Sequence, residues 1–214
     1  MEFHPSDPCM ACACDAFDPN GPVNRKCEGV MRKVLIAGIG NVLIGDDGVG
    51  SFAIKMLESQ FDFPESVELA DLGTPGLGLP VHLSDADAVI LLGSAKFGGQ
   101  EGDIRLFRKQ EVLTIPPRVR IDPHSSALRE SHSFLDLMAA TPGELLMIGI
   151  QGSRLNAGST LSTPVRHCIP HIIDAVRREL HRLNVWCAPK ESVTPPGTWW
   201  DSLRTKAVSK APWR

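Results

Sequence analysis

The sequence predicts an α/β fold, a three-layer α/β/α sandwich with a mostly parallel sheet and an antiparallel edge strand. Three observations support this prediction. Short apolar runs of strand length recur between residues 33 and 150, and helical patterns separate them. Parallel strands require such crossovers, and a parallel sheet is covered by helices on both faces. A further run, DIRLF (103–107), alternates polar and apolar residues as an edge strand does.

The buried strands are predicted where apolar runs of four to eight residues stand between turn signals. The first begins at Lys33, and the second runs into a glycine turn. The third and fourth are almost wholly apolar, which is typical of strands covered on both faces. These strands lie at 33–37, 66–73, 88–92 and 145–150.

The helices are predicted from apolar residues that recur three and four positions apart. The clearest case is 49–60, which Pro64 closes on its C-terminal side. The final helix covers 165–183, and because Pro170 lies within it we expect a kink there or a start near residue 170. Two weaker patterns, one of them interrupted by glycines, predict helices at 74–83 and 125–140.

The composition is that of a soluble globular domain, since 43% of the 214 residues are hydrophobic and 22% are charged. A net charge of −3 argues against a duplex-binding surface, so we expect no nucleic acid partner. No apolar run approaches the ~20 residues of a membrane span. The N-terminus MEFHPSDPCMACACDAF lacks the basic and apolar regions of a secretory signal, so we expect a cytoplasmic protein.

The chain divides into three parts: a cysteine-containing extension at 1–30, a folded domain at 31–188 and a tail at 189–214. Cysteine spacing in the extension allows a zinc site, but no helix or hairpin pattern fixes such ligands, and a disordered segment is the alternative. Its cysteines are Cys9, Cys12, Cys14 and Cys27. Neither Cys168 nor Cys187 has the context of a cysteine-protease nucleophile.

The tail is basic, with five lysines and arginines against two acids, and it contains Trp199, Trp200 and Trp213. Exposed aromatic residues beside cations are typical of partner-binding anchors. The alternative is that the tryptophans fold back on the domain, because apolar side chains usually find some cover.

The segment GIGNVLIGDDGVG (38–50) follows the first predicted strand and combines five glycines with two adjacent aspartates. It lacks the spacing G-x-G-x-x-G, and no Gly-Lys-Ser/Thr follows, so we expect no nucleotide cofactor. Glycines such as Gly38 and Gly40 let the backbone approach another group at the carboxyl edge of the sheet, where ligands bind in α/β proteins. Asp46 suits a helix cap. A hard oxygen ligand at that edge, near a histidine, suits a divalent metal.

These motifs, together with ELADLGTPGLGL, DPHSSAL, LLMIGIQG and LSTPV in that order, resemble the [NiFe]-hydrogenase maturation endopeptidases. The similarity covers roughly residues 31–183. It implies an α/β/α fold and a peptidase that removes the C-terminal extension of the hydrogenase large-subunit precursor. It further implies that the nickel already inserted into that precursor is the recognition element, so the metal comes with the substrate.

The resemblance also implies the site residues. Asp47 and His124 fall on metal-binding positions of the family and are the expected catalytic pair. The remaining ligand of the family is an aspartate after the third strand, where ungapped counting gives Gly93 and a one-residue shift gives Ser94. Neither is a carboxylate, and a hydroxyl is a weak replacement for an anion.

The expected supporting residues are Gly38, Gly40, Asn41, Asp46 and Asp71. We expect Asn41 to close its turn with its own side chain. Asp71 either approaches the cleft from the second strand or stabilises the turn after it. The missing carboxylate leaves a second hypothesis, a non-proteolytic relative that binds a precursor or metal as a hydrogenase assembly factor.

Overall fold

The computed structural model describes residues 32–75, 79–114, 142–152 and 160–193. The helix predicted at 125–140, the N-terminal extension and the tryptophans of the tail lie outside these residues.

The described strands form a five-stranded sheet and a short separate ladder. The order in the sheet is β3-β1-β4-β6-β5, with β5 antiparallel to β6 and the other neighbours parallel. This confirms the predicted sheet and its edge strand. The ladder joins β2 and β7, two residues each, which are too short to leave a pattern in the sequence. The bounds are β1 Val34–Ile39, β2 Phe61–Asp62, β3 Val67–Gly73, β4 Ala88–Ala95, β5 Ile104–Arg108, β6 Glu144–Gln151 and β7 Ala188–Pro189.

The helices among the described residues are α1 Val49–Gln60, α2 Leu79–Leu83, α3 Lys109–Thr114 and α4 Thr163–Arg182, and a 3₁₀ turn spans Gly45–Gly48. Helix α1 has the predicted bounds. Helix α2 is shorter than predicted because Thr74 and Pro75 are not helical, and α3 was not predicted.

Helix α4 begins at Thr163, so the predicted alternative of a start near residue 170 is wrong. Ser162 is the N-cap residue, and its hydroxyl accepts a hydrogen bond from the Val165 N–H at 3.5 Å. Pro164 lies in the first turn, where its missing N–H has no intrahelical partner to lose. These two residues set the start of the helix, and Pro170 lies within it.

The sheet is covered on both faces, as predicted. Helices α1 and α4 pack on one face, where Ile90 and Leu92 of β4 belong to their apolar cluster. Helices α2 and α3 pack on the other, together with Leu91 and Ala95 of β4. Because side chains alternate along a strand, Ser94 faces α1 and α4 whereas Gly93 faces the opposite side.

A partly buried ion pair, with Glu179 buried and its arginine partners half-exposed, joins the end of α4 to the edge of the sheet. Glu179 is 6% exposed, and its two carboxylate oxygens accept hydrogen bonds from Arg108 at 2.6 and 2.9 Å. Arg182 donates to the same carboxylate at 2.8 Å and also bonds Glu144. Burial alone would raise the pKa of Glu179, but the hydrogen bonds from Arg108 and Arg182 outweigh it, and the pKa is lowered.

We expect Glu179→Gln to lower the free energy of unfolding by about 2 kcal/mol at neutral pH, the scale of hydrogen bonds to charged groups. The folded-state pKa lies below the ordinary value of 4.5. The stabilisation is therefore complete above that value and is lost as the pH falls through the lowered pKa. Urea unfolding at a series of pH values should show the gap between wild type and variant narrowing below pH 4.5.

The control is Asp174→Asn, since Asp174 and Arg177 form an exposed pair at 3.7 Å. Such pairs contribute little, so this variant should unfold like the wild type. A Glu179→Gln protein as stable as wild type at neutral pH would show that the buried pair is energetically neutral.

Candidate functional site

The site is built at the carboxyl edge of the sheet, where the parallel strands β1, β3, β4 and β6 all end. Asp47 lies in the 3₁₀ turn that follows β1 and is 3% exposed. Its Oδ1 accepts a hydrogen bond from the hydroxyl of Ser94 at 2.6 Å, and its Oδ2 accepts one from the Asn41 N–H at 2.7 Å. Both carboxylate oxygens are therefore fixed in position.

The loop before Asp47 depends on a glycine at position 40. Gly40 has φ +132°, and a Cβ there would lie 1.9 Å from the carbonyl oxygen of Asp47. No other residue fits this close approach. Next to it, the Asn41 side chain accepts a hydrogen bond from the Leu43 N–H at 2.9 Å. The predicted turn-closing role of Asn41 is confirmed.

Asp46 does not cap α1, and that expectation is wrong. The N-cap residue of α1 is Gly48, and the cap has no side-chain hydrogen bond. Asp46 is instead fully buried, and its Oδ1 accepts a hydrogen bond from the Ser162 N–H at 2.6 Å. The short 3₁₀ turn before α1 directs this carboxylate to the start of α4. Gly152, at the end of β6, leaves room for it, since a Cβ there would lie 2.9 Å from the Asp46 Cβ.

Of the two positions considered for the missing carboxylate, only Ser94 reaches Asp47. Ser94 is 7% exposed and lies on the face of the sheet that carries Asp47. Gly93 lies on the opposite face, and a Cβ there would be 2.8 Å from Cγ1 of Ile39. Ser94 is thus the neighbour of Asp47 in this fold, and it acts as a hydrogen-bond donor to the carboxylate.

Asp71 lies at the carboxyl end of β3, beside Gly38 of β1. Its Oδ1 accepts hydrogen bonds from the hydroxyl of Ser51 at 2.6 Å and from the Gly73 N–H at 3.3 Å. The second bond stabilises the turn, as one interpretation predicted. The first ties the strand to α1, so Asp71 contributes to both the turn and the edge. Gly38 itself lies under α1, where a Cβ would be 2.6 Å from the carbonyl oxygen of Gly50.

His124 lies outside the described residues. Within the described part of the chain, no three His, Cys, Asp or Glu side chains cluster in a way that suits a metal ion. Asp47 and Ser94 are therefore the members of the predicted ligand set that the structure brings together. Cys168 is a buried thiol that donates to the Val165 carbonyl at 3.1 Å, and burial raises its pKa to about 11. Such a thiol is not a nucleophile at neutral pH.

Ser51, Gly152 and Ser162 were not predicted as parts of the site. Ser162 precedes a threonine and a proline, which is a recognisable signal of a helix start. That signal predicts the cap but not the bond from its N–H to Asp46. Ser51 and Gly152 carry no local signal, because their roles depend on side chains that lie far away in the sequence.

The chain is thus an α/β sandwich, and its fixed, buried carboxylate lies at the carboxyl edge of the sheet, the edge where proteins of this class bind their ligands. The comparison with known families is more specific. The model of the hydrogenase maturation protease family, HycI, matches residues 53–179, a range that contains Asp71, Ser94 and His124. The chain belongs to this family of hydrogenase maturation proteases and is a peptidase.

Individual relatives agree with this assignment. The chain is 30% identical over 164 residues to hydrogenase expression/formation protein HupM of Azotobacter chroococcum mcd 1, covering 76% of this chain and 78% of that protein. It is 27% identical to hydrogenase 2 maturation protease of Escherichia coli strain K12, covering 75% and 98%. The structure of the hydrogenase maturating endopeptidase HybD from E. coli superposes with a TM-score of 0.68 at 25% identity, covering 74% and 98%. These similarities favour a peptidase over a non-proteolytic assembly factor.

None of the described helices combines sufficient length with sufficient hydropathy to cross a bilayer.

We expect Ser94→Asp to destabilise the metal-free protein by about 3 kcal/mol, because it places a second buried carboxylate against Oδ1 of Asp47 without a compensating charge. Added Ni²⁺ or Zn²⁺ should restore the thermal midpoint, since two adjacent carboxylates bind a divalent cation. The measurement is thermal unfolding with and without the metal salt.

Two variants serve as controls for Ser94→Asp. Ser94→Asn adds similar bulk without charge and should gain no stability from metal. Gly93→Asp projects to the opposite face against Ile39, so it should destabilise the protein without any rescue by metal. A Ser94→Asp protein that is indifferent to divalent metal would contradict the placement of residue 94 at a cation site.

Proposed function

We propose that this peptidase removes the C-terminal extension of a [NiFe]-hydrogenase large-subunit precursor after nickel has been inserted, and that it does so in the cytoplasm. The family assignment supports the class of substrate. The nickel is part of that substrate in this proposal and is not a resident cofactor of the chain.

The observation that carries the proposal is the burial of the Asp47 carboxylate without a cationic partner. Its carboxylate is almost completely buried, and within the described part of the chain no cationic side chain forms an ion pair with it. Burying an unpaired charge is costly, so a site of this kind is suited to receive a cation. The hydrogen bonds from Ser94 and Asn41 hold the carboxylate in one orientation before the cation arrives.

In the proposed reaction, Asp47 and His124 bind the nickel that the precursor carries. Ser94 keeps its hydrogen bond to Oδ1 of Asp47 and supplies a neutral oxygen beside the metal. A metal held in this way positions the adjacent peptide bond, or it activates the water that attacks it; both are established roles of metals in hydrolysis. Asp46 and Asp71 act at a distance, because they hold α4 and α1 against the edge where the precursor binds.

The experiment is incubation of the full chain with nickel-loaded precursor and with nickel-free precursor, followed by mass spectrometry of the released peptide. The proposal requires cleavage of the nickel-loaded form alone. Binding of this precursor without cleavage would instead support the assembly-factor function, which the serine at position 94 favours. Cleavage of both forms alike would show that nickel is not recognised.

We expect Asp47→Asn to lower kcat/KM by about 100-fold or more, a loss typical of a group that binds or orients the reacting centre. The variant is nearly isosteric, so its thermal midpoint should stay close to that of the wild type. Asp85→Asn is the matched control, since Asp85 is exposed and precedes β4 at the opposite edge of the sheet. Equal rates for Asp47→Asn and Asp85→Asn would remove Asp47 from the mechanism.

A further inference from the structure

A groove of about 550 Å³ runs between α1 and α4, away from Asp47. Two arginines, Arg166 and Arg177, lie along it with Asp174. The guanidinium of Arg177 lies 5.4 Å from the centre of the Phe61 ring. An apolar groove rimmed by charged residues is typical of an interaction site. The apolar lining consists of Phe52, Met56, Phe61, Ile169, Pro170 and Ile173.

The chain leaves the described domain along this groove. In the β2–β7 ladder Ala188 pairs with Asp62 and Pro189 pairs with Phe61, which itself lines the groove. The Lys190 N–H then donates to the Gln60 carbonyl at 2.8 Å. As the residue number rises from 188 to 190, the number of its partner falls from 62 to 60. The chain therefore runs back along α1, in the direction of Met56.

The remaining chain is long enough to reach every part of the groove. From Gln60 back to Phe52, the far end of the groove on α1, the helix axis extends only about 12 Å, at 1.5 Å per residue. An extended chain from Lys190 to Trp199 spans up to about 30 Å. The chain between Lys190 and Trp199 is thus long enough to place Trp199 and Trp200 anywhere in the groove.

The chemistry of the segment matches that of the groove. Three of the four tryptophans in the sequence lie after residue 193, and two of them are adjacent in Trp199-Trp200-Asp201. Indole rings fill apolar grooves and also attract guanidinium groups, which Arg166 and Arg177 provide. Asp201 supplies an acid next to the indoles, opposite in charge to these arginines.

We propose that the groove between α1 and α4 is the docking site of the chain's own C-terminal segment, and that Trp199 and Trp200 occupy it. The docked segment covers the groove between α1, whose first turn follows Asp47, and α4, whose first turn lies beside Asp46. The tryptophans are then part of the fold and are not anchors for another protein.

The test uses the full chain with Trp186→Phe and Trp213→Phe, so that emission comes from Trp199 and Trp200 alone. Trp186 is 65% exposed, and phenylalanine keeps an aromatic ring for its edge contact with His181. The expected result is a blue-shifted emission in the folded protein that resists acrylamide quenching, and loss of both properties in urea.

Met56→Lys in this background places a charge in the groove and should shift the emission to the red and restore quenching. The control is Val81→Lys, since Val81 is 75% exposed on α2, on the other face of the sheet. If circular dichroism shows that Met56→Lys does not fold, Pro170→Glu replaces it, because Pro170 is exposed and its change leaves the core intact.

Four results would overturn the proposal. The first is free quenching of the two tryptophans in the folded parent protein. The second is protection from quenching that stays unchanged when the charge is placed in the groove. Protection that appears only at high protein concentration would assign the groove or the tail to a second copy of the chain. Protection that appears only on adding large-subunit precursor would make the tail a partner anchor.

Discussion

The adjacent buried carboxylates of Asp46 and Asp47 determine how the functional edge of this protein is assembled. They follow β1 in a single 3₁₀ turn, yet they point to different parts of the fold. Asp46 accepts the N–H of Ser162 and so holds the first turn of α4. Asp47 accepts a backbone N–H from its own loop and the hydroxyl of Ser94 from β4. One turn thereby connects a loop, a strand and a helix that are far apart in sequence.

Burying these two carboxylates costs desolvation free energy, and this cost accounts for the short hydrogen bonds that they accept. Two carboxylates in nearly complete burial lose most of their hydration, and the short hydrogen bonds to them offset part of that loss. The bonds to Asp46 and Asp47 lie at 2.6 to 2.7 Å. On the neighbouring strand the exposed Asp71 accepts an equally short hydrogen bond, at 2.6 Å, from the Ser51 hydroxyl. The carboxylates of Asp46 and Asp47 are therefore held in one orientation, which is a condition for a site that must position a peptide bond.

The sequence predicted those features that depend on local patterns. Helix α1 was predicted to its end residues because its apolar stripe and the closing Pro64 agree. The parallel sheet and its edge strand followed from the length and alternation of the apolar runs. The start of α4 was open because Pro170 suggested a break, whereas the cap at Ser162 decides it. The short β2–β7 ladder depends on tertiary pairing and leaves no local pattern. The choice of Ser94 over Gly93 depends on which face of the sheet each residue occupies, and this is known only once β4 is found to continue to Ala95.

The serine at position 94 has a consequence for how the site works under the proposed function. Two facing carboxylates repel each other and are stable together only with a proton or a cation between them. A serine facing Asp47 forms a complete hydrogen bond instead, so the edge is stable while it is empty. Among the described residues, one carboxylate, that of Asp47, then faces position 94, and a single carboxylate binds a free divalent ion weakly. A cation binds well only if it brings other ligands with it, as nickel already coordinated by a precursor does. The loss of one carboxylate is thus compatible with a peptidase whose metal belongs to its substrate, and it makes the site more dependent on that substrate.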